Sequence, residues 1–314
     1  MRADLFGQVR PRRPFVVRLY ADEIKPYRND LGEQWMYIGM LAIPEARYND
    51  VLEWLGEDRI VACYDREVHF TEFHNYSYAH VHNEKALLAK RWVERVLWDD
   101  QKTFHFYLLG PNLSNLQHHA FGTGKKQKRN IYNRFFRASV SYALKSFFGN
   151  TGIFVTHIFH DAGHLDHDEL FDWHTIWRLD QTEPGITFLT DNIQFIDSDH
   201  NKEPKFPHDS HLIQLCDILM GGLTQCLDAR TKKDGCCEIA ECLLPLAERL
   251  TDPRRARNLN SRYRYVRRIS LSFFPSKKLT LKELKDIHMR ERSGFYITRR
   301  LLFEDQLSGQ LSLF

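Results

Sequence analysis

The sequence predicts an α/β protein in which helices flank a mixed β-sheet. Two predicted strands, residues 15–22 and 35–41, are joined by a link too short for a crossover helix, so they should pair in antiparallel fashion. Helix and strand patterns then alternate through residues 45–229, as in domains whose sheet is covered by helices. The composition fits such a chain, because 43% of its 314 residues are hydrophobic, 27% are charged and the mean hydropathy is −0.48.

Local patterns predict the individual elements. Residues 15–22 and 35–41 are rich in apolar and β-branched side chains, which favours strands. Residues 45–59 repeat apolar side chains at helical spacing, and residues 67–70 form a short extended segment. The same criteria predict helices over 84–100, 129–148, 165–178 and 210–229, and strands over 104–109, 152–161 and 193–197.

The C-terminal part of the chain differs in charge from the rest. Of 44 Lys and Arg and 41 Asp and Glu in total, residues 249–300 hold 16 and 4, which leaves 28 and 37 elsewhere. We therefore divide the chain into a core domain, residues 14–229, and a small basic α+β extension, residues 230–314. The extension should contain a helix (238–250), a strand (265–273) and a helix (281–291). A basic segment on an acidic core suggests a polyanionic partner. A solvated basic face without a partner is the alternative.

The sequence has the features of a protein that is neither embedded in a membrane nor secreted. No apolar run approaches the roughly 18 residues that a membrane-spanning helix needs. The start of the chain lacks the apolar core of a signal peptide. Six cysteines are too few for a disulfide scaffold and should be reduced. These observations predict a cytoplasmic protein with no membrane partner.

Four acidic residues stand where a metal ion could use them. Asp22 and Asp161 each close a predicted strand, and Glu67 lies in the extended segment. Asp217 lies inside an apolar helix, where a carboxylate without a cationic partner is costly. Carboxylate oxygens suit Mg²⁺ or Mn²⁺, and two such ions can stabilise the entering and leaving oxygens of a phosphodiester. Each acid could instead be a turn residue or part of a structural salt bridge.

The order of these acids along the chain resembles that of one family. The segments concerned are Tyr20-Ala21-Asp22-Glu23, Glu67-Val68-His69-Phe70, Phe159-His160-Asp161, Ile196-Asp197-Ser198 and Ile213-Gln214-Leu215-Cys216-Asp217-Ile218. Together they resemble the uncharacterised ribonuclease H-like group filed as domain-of-unknown-function family 3800, over residues 16–229. The resemblance implies a ribonuclease H-like sheet and a two-metal nuclease centre. Its metal ligands would be Asp22, Glu67, Asp161 and Asp217, and His69, in the place of a basic residue, could assist proton transfer.

The sequence departs from the family pattern directly after Asp22-Glu23. The family usually has Ser-Gly there, whereas Ile24-Lys25 predicts a longer loop in the first hairpin. The basic extension lies outside the resemblance, so its function is inferred from its residues alone.

Basic side chains at two places are candidates for nucleic-acid contacts. In the extension these are Arg262, Arg264, Arg267 and Arg268, which are interleaved with tyrosines. Arginine suits backbone phosphates and aromatic rings suit stacking on bases. An Arg- and Tyr-rich subunit interface is the alternative. Lys125 and Lys126, ahead of the helix over 129–148, could also contact phosphates or belong to a solvated loop.

Other patterns suggest different sites. His160-Asp161 could belong to a histidine–aspartate phosphohydrolase, but those enzymes place the pair on a helix and a strand is predicted here. His157, His160 and His164 could bind zinc, although they straddle a strand end. The cysteines between 216 and 242 lack C-x₂-C spacing, and residues 122–126 lack key positions of a phosphate-binding loop.

The sequence thus predicts a nuclease that depends on Mg²⁺ or Mn²⁺ and hydrolyses phosphodiester bonds of DNA or RNA. The alternative is a catalytically silent protein of the same fold that binds nucleic acid or acts as a scaffold. A role in prokaryotic defence or mobile-element biology is compatible with the family. Assembly as a homo-oligomer or with a partner protein remains open.

Overall fold

The computed structural model describes residues 14–73, 84–149, 152–163, 179, 181–251 and 268–275. The strands are β1 (Phe15–Arg28), β2 (Gln34–Pro44), β3 (His105–Pro111), β4 (Ile153–Asp161), β5 (Ile186–Phe188), β6 (Ile193–Ile196) and β7 (Ile269–Phe274). The helices are α1 (Tyr48–Ala62), α2 (Glu84–Trp98), α3 (Gly124–Phe148), α4 (Pro207–Asp228) and α5 (Asp234–Thr251). No helix in these ranges combines the length and apolarity needed to cross a membrane.

The seven strands of the described residues form one mixed sheet, which confirms the predicted α/β class. Its order is β5-β4-β1-β2-β3-β7, and β6 also pairs with β4. The meander β1-β2-β3 is antiparallel. β4 runs parallel to β1, and both β5 and β6 run parallel to β4. β1 and β4 are therefore central neighbours, and residues at the end of their ladder lie side by side.

Helices cover both faces of the sheet. Because side chains alternate along a strand, Tyr20 packs on the face covered by α1, α2, α4 and α5, and Leu19 packs on the face covered by α3. α4 lies deepest, since every residue from 212 to 228 is buried. The site described below is built on the α4 face.

The first hairpin differs from the sequence-based prediction. β1 continues to Arg28 instead of opening a loop at Ile24-Lys25, and the register shifts between Ile24 and Tyr27. The hydroxyl of Tyr27 donates to Asp228 Oδ2 at 2.5 Å, which fixes the end of the strand to α4. The prediction of a longer loop was wrong because this contact joins residues far apart in sequence.

Two elements of the predicted extension belong to the same sheet and core as the rest of the chain. β7 pairs with β3 in parallel, and Ile239 and Leu243 of α5 belong to the core that contains α4. The predicted boundary at residue 230 therefore does not separate two cores. The predicted helices over 165–178 and 281–291, together with Arg262, Arg264 and Arg267, lie outside the described residues.

Arg268, a predicted nucleic-acid contact, lies against the C-terminal end of α2. Its Nη1 donates to Asp99 Oδ2 and to Val96 O, both at 2.8 Å, and Nη2 donates to Leu97 O at 3.4 Å. The last carbonyls of a helix have no partner within it, so a basic side chain at this end is stabilising. Arg268 thus caps α2, and its guanidinium is engaged within the protein.

We expect Arg268→Ala to lower the free energy of unfolding by about 2–4 kcal/mol, because it leaves the Asp99 carboxylate, only 3% exposed, without its cation. Urea unfolding measures this loss. The salt dependence of any binding to nucleic acid should not change. A stable variant with a flatter salt dependence would instead mean that Arg268 binds phosphate.

Candidate functional site

Asp22 and Asp161 lie side by side on the two central strands. The parallel pairing of β1 and β4 ends at Ala21 and His160, and the two aspartates are the next residues. Each follows an aromatic residue by two positions, and those rings, Tyr20 and Phe159, stack at 5.3 Å on the face covered by α4. Both aspartates therefore share that face.

Asp217 reaches the same place from α4. The helix lies close to β1 here, since Cys216 Sγ is 3.6 Å from Tyr20 O. The pairing strand β2 has Gly39 opposite Asp22, where a Cβ would lie only 3.3 Å from Cys216 Sγ. The close approach of α4 to the sheet brings Asp217 to the two strand aspartates.

Two polar side chains of α4 hold the extended segment, residues 67–70. Gln214 Oε1 accepts from Val68 N at 3.0 Å, and one turn later Asp217 Oδ2 accepts from Phe70 N at 2.7 Å. Backbone groups outside a sheet need such partners when they are buried. The segment is therefore bound to α4 by alternate amides, which places His69 beside Asp217.

Burial and mutual repulsion dominate the electrostatics of the three aspartates. Burial, followed by the charges of Asp217 and Asp161, raises the pKa of Asp22 well above its usual value. Burial also raises the pKa of Asp161, partly opposed by the positive charge of His160. Within the described residues, no Lys or Arg forms an ion pair with any of the three. The three aspartates thus concentrate negative charge, and no ammonium or guanidinium group of the described residues pairs with it.

His69 is the cationic side chain that contacts Asp217 among the described residues. Its Nδ1 lies 2.8 Å from Asp217 Oδ2, and the charge of Asp217 raises the pKa of His69 to about 9. The amide of Thr71 also points at Nδ1, at 3.4 Å, but a protonated nitrogen cannot accept it. The contact to the Asp217 carboxylate is the shorter of the two, so Nδ1 carries a proton. With a pKa of about 9, His69 is therefore an imidazolium near neutral pH.

We expect the His69 imidazole to titrate near pH 9 in metal-free protein, and near its ordinary value in Asp217→Asn. Because the pKa is raised in the folded state, the His69 pair contributes stability below about pH 6.5 and loses it as the pH rises through 9. The stability difference between wild type and His69→Ala should shrink over that interval. NMR titration and urea unfolding measure these effects. A wild-type His69 that titrates near 6.5 would contradict the pairing.

Glu67 lies at the rim of the group formed by Asp22, Asp161, Asp217 and His69. Its Oε1 accepts from Ser198 Oγ at 2.6 Å, after the end of β6. Its charge contributes to the raised pKa of His69, but Glu67 is not among the main influences on Asp22 or Asp161. Of the four predicted acids, three are brought together by the structure and Glu67 is placed next to His69.

A second buried polar group, on the α3 face of the sheet, was missed by the sequence-based reasoning. Glu23 Oε2 lies 3.1 Å from both His160 Nε2 and the hydroxyl of Tyr132, which itself lies 2.8 Å from His160 Nε2. His160 Nδ1 faces the carbonyl oxygen of Asp161 at 2.7 Å and must donate to it. Burial opposes the charged form of His160, but Glu23 and Asp161 together outweigh burial and raise the pKa of His160.

The raised pKa of His160 favours the imidazolium. In that form Nδ1 donates to Asp161 O, Nε2 donates to Glu23, and Tyr132 donates to the same carboxylate. In the neutral form Nε2 would instead accept from the hydroxyl of Tyr132. The group therefore ties β1, β4 and α3 together directly behind Asp22 and Asp161.

The other predicted sites do not form from the described residues. His157 stacks on Phe159 whereas His160 lies against Tyr132, so they occupy opposite faces of β4 and cannot share a zinc ion. His160 and Asp161 lie on a strand, as expected, and not on a phosphohydrolase helix. Lys125 and Lys126 lie in the first turn of α3, where Lys126 is exposed. His164 lies outside the described residues.

The carboxylate oxygens of Asp22, Asp161 and Asp217 are ligands that suit a hard divalent cation. The three side chains do not, however, surround a common point. Among the described residues, no three His, Cys, Asp or Glu side chains are grouped closely enough to hold a metal ion. Like charges repel, so a cation would favour a closer approach of the three carboxylates. Asp217 Oδ1 and Asp22 Oδ2 have no hydrogen-bond partner in the described part of the chain, so both oxygens are free to turn toward an ion.

Geometry and charge alone define this site. Compared with family models, with curated proteins and with solved structures, the chain gave no match in any of the three. The resemblance to the ribonuclease H-like family rests on short motifs and is an expectation about the chain.

Proposed function

We propose that this protein is a divalent-metal-dependent nuclease that hydrolyses phosphodiester bonds of DNA or RNA. One observation carries the proposal, namely that Asp22, Asp161 and Asp217 approach one another from three elements and have no Lys or Arg partner among the described residues. Such a group is costly without a cation and is suited to Mg²⁺ or Mn²⁺. The antiparallel β1-β2-β3 meander beside parallel β4 supports a ribonuclease H-like sheet.

Each residue of the group has a role in this proposal. Asp22, Asp161 and Asp217 would bind the metal, with Glu67 completing the ligand set from the rim. When bound, Mg²⁺ or Mn²⁺ would activate water and stabilise the charge that develops on the phosphate. With its raised pKa, His69 holds a proton at neutral pH and can donate it to the departing oxygen.

Contacts to the nucleic acid come from basic side chains at other places. Lys126, and with it Lys125, would contact backbone phosphates from the first turn of α3. Arg262, Arg264 and Arg267 remain candidates in the basic extension. Arg268 is left out, because Asp99 and the end of α2 engage its guanidinium.

Cleavage of labelled DNA and RNA in Mg²⁺, Mn²⁺ or EDTA tests this function. We expect cleavage of at least one substrate with Mn²⁺ or Mg²⁺ and none in EDTA. Cleavage that persists in EDTA, or none under any condition, would contradict the proposal.

A catalytically silent nucleic-acid-binding or scaffold protein is the second candidate. It is favoured by the spread of the carboxylates, since no three ligand side chains in the described ranges are close enough to hold an ion as they stand. This candidate predicts nucleic-acid binding without cleavage, and a melting temperature that Mn²⁺ does not change.

A further inference from the structure

Arg59, on α1, is a buried cation whose direct partners are all uncharged. It is 6% exposed. Its Nη1 donates to Tyr64 O at 3.4 Å and Arg66 O at 2.9 Å, and its Nη2 donates to Gln214 Oε1 at 2.7 Å. Within the described residues, no carboxylate lies at ion-pair distance from it. Burial lowers the pKa of Arg59 to about 10, so it stays charged at neutral pH, and more distant acids offset only part of the cost.

The contact between Arg59 and His211 fixes where the histidine carries its proton. Arg59 Nη2 lies 3.1 Å from His211 Nδ1, and because arginine has only donors, Nδ1 must accept. Burial and the charge of Arg59 lower the pKa of His211 to about 3, so the ring is neutral. Its proton is therefore on Nε2, which has no hydrogen-bond partner in the described part of the chain. His211 thus offers a free N–H donor next to a buried positive charge.

Both side chains line a cavity of about 670 Å³ between α1 and the start of α4. This volume lies in the range of small-molecule sites. Leu52, Ile60 and Tyr64 give the cavity apolar and aromatic walls. The acidic residues on its wall, Glu53 and Asp65, are exposed, so water screens their charge more than it screens the charge of Arg59.

We propose that this cavity binds a nucleoside monophosphate, with the phosphate at Arg59 and His211 and the base against Leu52, Ile60 and Tyr64. The phosphate supplies the anion that Arg59 lacks and accepts from His211 Nε2. The ligand can be a free nucleotide or the terminal nucleotide of a strand. The site is separate from the three aspartates and does not depend on the proposed nuclease activity.

Calorimetric titration of the full chain in EDTA tests the proposal with the four common nucleoside 5′-monophosphates, their nucleosides and inorganic phosphate. At least one nucleotide should bind with Kd below about 1 mM, and at least about tenfold more tightly than its nucleoside or inorganic phosphate. No nucleotide binding at that level, or equal binding of nucleotide and nucleoside, would overturn the proposal.

Two variants test whether the nucleotide binds in this cavity. Asn at position 211 can keep an acceptor for Arg59 but lacks the Nε2–H donor, so His211→Asn should weaken nucleotide binding at least about fivefold. Gly56 lines the cavity, and a Cβ there would meet nothing within 4 Å. Gly56→Leu should therefore project into the cavity and weaken nucleotide binding at least about tenfold, while its melting temperature equals or exceeds that of wild type. Wild-type affinity in Gly56→Leu would overturn the assignment.

Cys63 reports occupancy of the cavity directly. It lines the cavity and is the exposed one of the six free cysteines. The nucleotide should slow alkylation of Cys63 in wild type but not in Gly56→Leu, and equal rates in wild type with and without nucleotide would overturn the proposal.

Competition with a dinucleotide, with and without a terminal phosphate, shows whether the ligand is a free nucleotide or the end of a strand. Competition by the phosphorylated form alone supports a strand end, competition by neither supports a free nucleotide, and equal competition by both overturns recognition of a terminal phosphate.

Discussion

We expect Asp22→Asn and Asp161→Asn to lower the rate of phosphodiester cleavage at least about 10²-fold, because each removes an anionic metal ligand and keeps the shape of the side chain. Asn can still accept the 2.7 Å hydrogen bond that Asp22 Oδ1 accepts from Glu23 N. The variants should therefore fold. The loss of activity would then reflect the lost charge and not a disturbed hairpin.

Metal-free Asp22→Asn should be at least as stable as wild type. A group whose pKa is raised by folding holds its proton more tightly in the folded state, so wild type loses stability as the pH rises from about 4 through the raised pKa of Asp22. Asn does not titrate. The difference in melting temperature between Asp22→Asn and wild type should therefore grow in favour of the variant as the pH rises, which calorimetry in EDTA measures.

Asp30→Asn is the matched control, since Asp30 is exposed in the turn of the same hairpin. It should cleave at the wild-type rate. Full activity of Asp22→Asn, or a melting temperature far below wild type at pH 8 in EDTA, would contradict the proposed role.

The second large effect concerns the packing of the extended segment on α4. A Cβ at Gly221 would lie 2.2 Å from Phe70 Cγ, and Phe70 is a core residue that is 3% exposed. We expect Gly221→Ala to cost about 2–3 kcal/mol of unfolding free energy, the upper part of the range for overpacked cores. Displacing Phe70 also moves His69 away from Asp217, so the pKa of His69 should fall from about 9 toward its ordinary value.

Gly56→Ala is the control for this substitution. Gly56 also lies in a helix, but a Cβ there would meet nothing within 4 Å. Alanine should therefore raise the free energy of unfolding by about 1 kcal/mol and leave the pKa of His69 unchanged. Equal stabilities of the two alanine variants in urea, or an unshifted His69 in Gly221→Ala, would show that the segment is not held as described.

Much of the fold was predictable because its main elements have strong local patterns. β2 and α4 were predicted within a few residues, since each is a long apolar segment with clear ends. β5 was missed because its three residues carry too little pattern. The extension of β1 to Arg28 was missed because Lys25 and Pro26 favour a turn, and the contact that overrides them lies on α4.

The candidate site was predictable where an acidic residue occupies a position that is unusual for it. An Asp at a strand end and an Asp within an apolar helix are visible in the sequence. Glu23 was not recognised, although the alternation of a strand places it on the face opposite Asp22, because its partners Tyr132 and His160 come from two distant elements. Arg268 was predicted to contact phosphate because the local sequence does not reveal its ion pair with Asp99, which lies 169 residues away.

Calorimetric titration with Mn²⁺ tests the central claim, that Asp22, Asp161 and Asp217 form a divalent metal site. Wild type should bind Mn²⁺ and gain melting temperature with it, and Asp30→Asn should behave in the same way. Asp161→Asn should bind at least about tenfold more weakly. No Mn²⁺ binding by wild type, or equal affinity in wild type and Asp161→Asn, would contradict the claim.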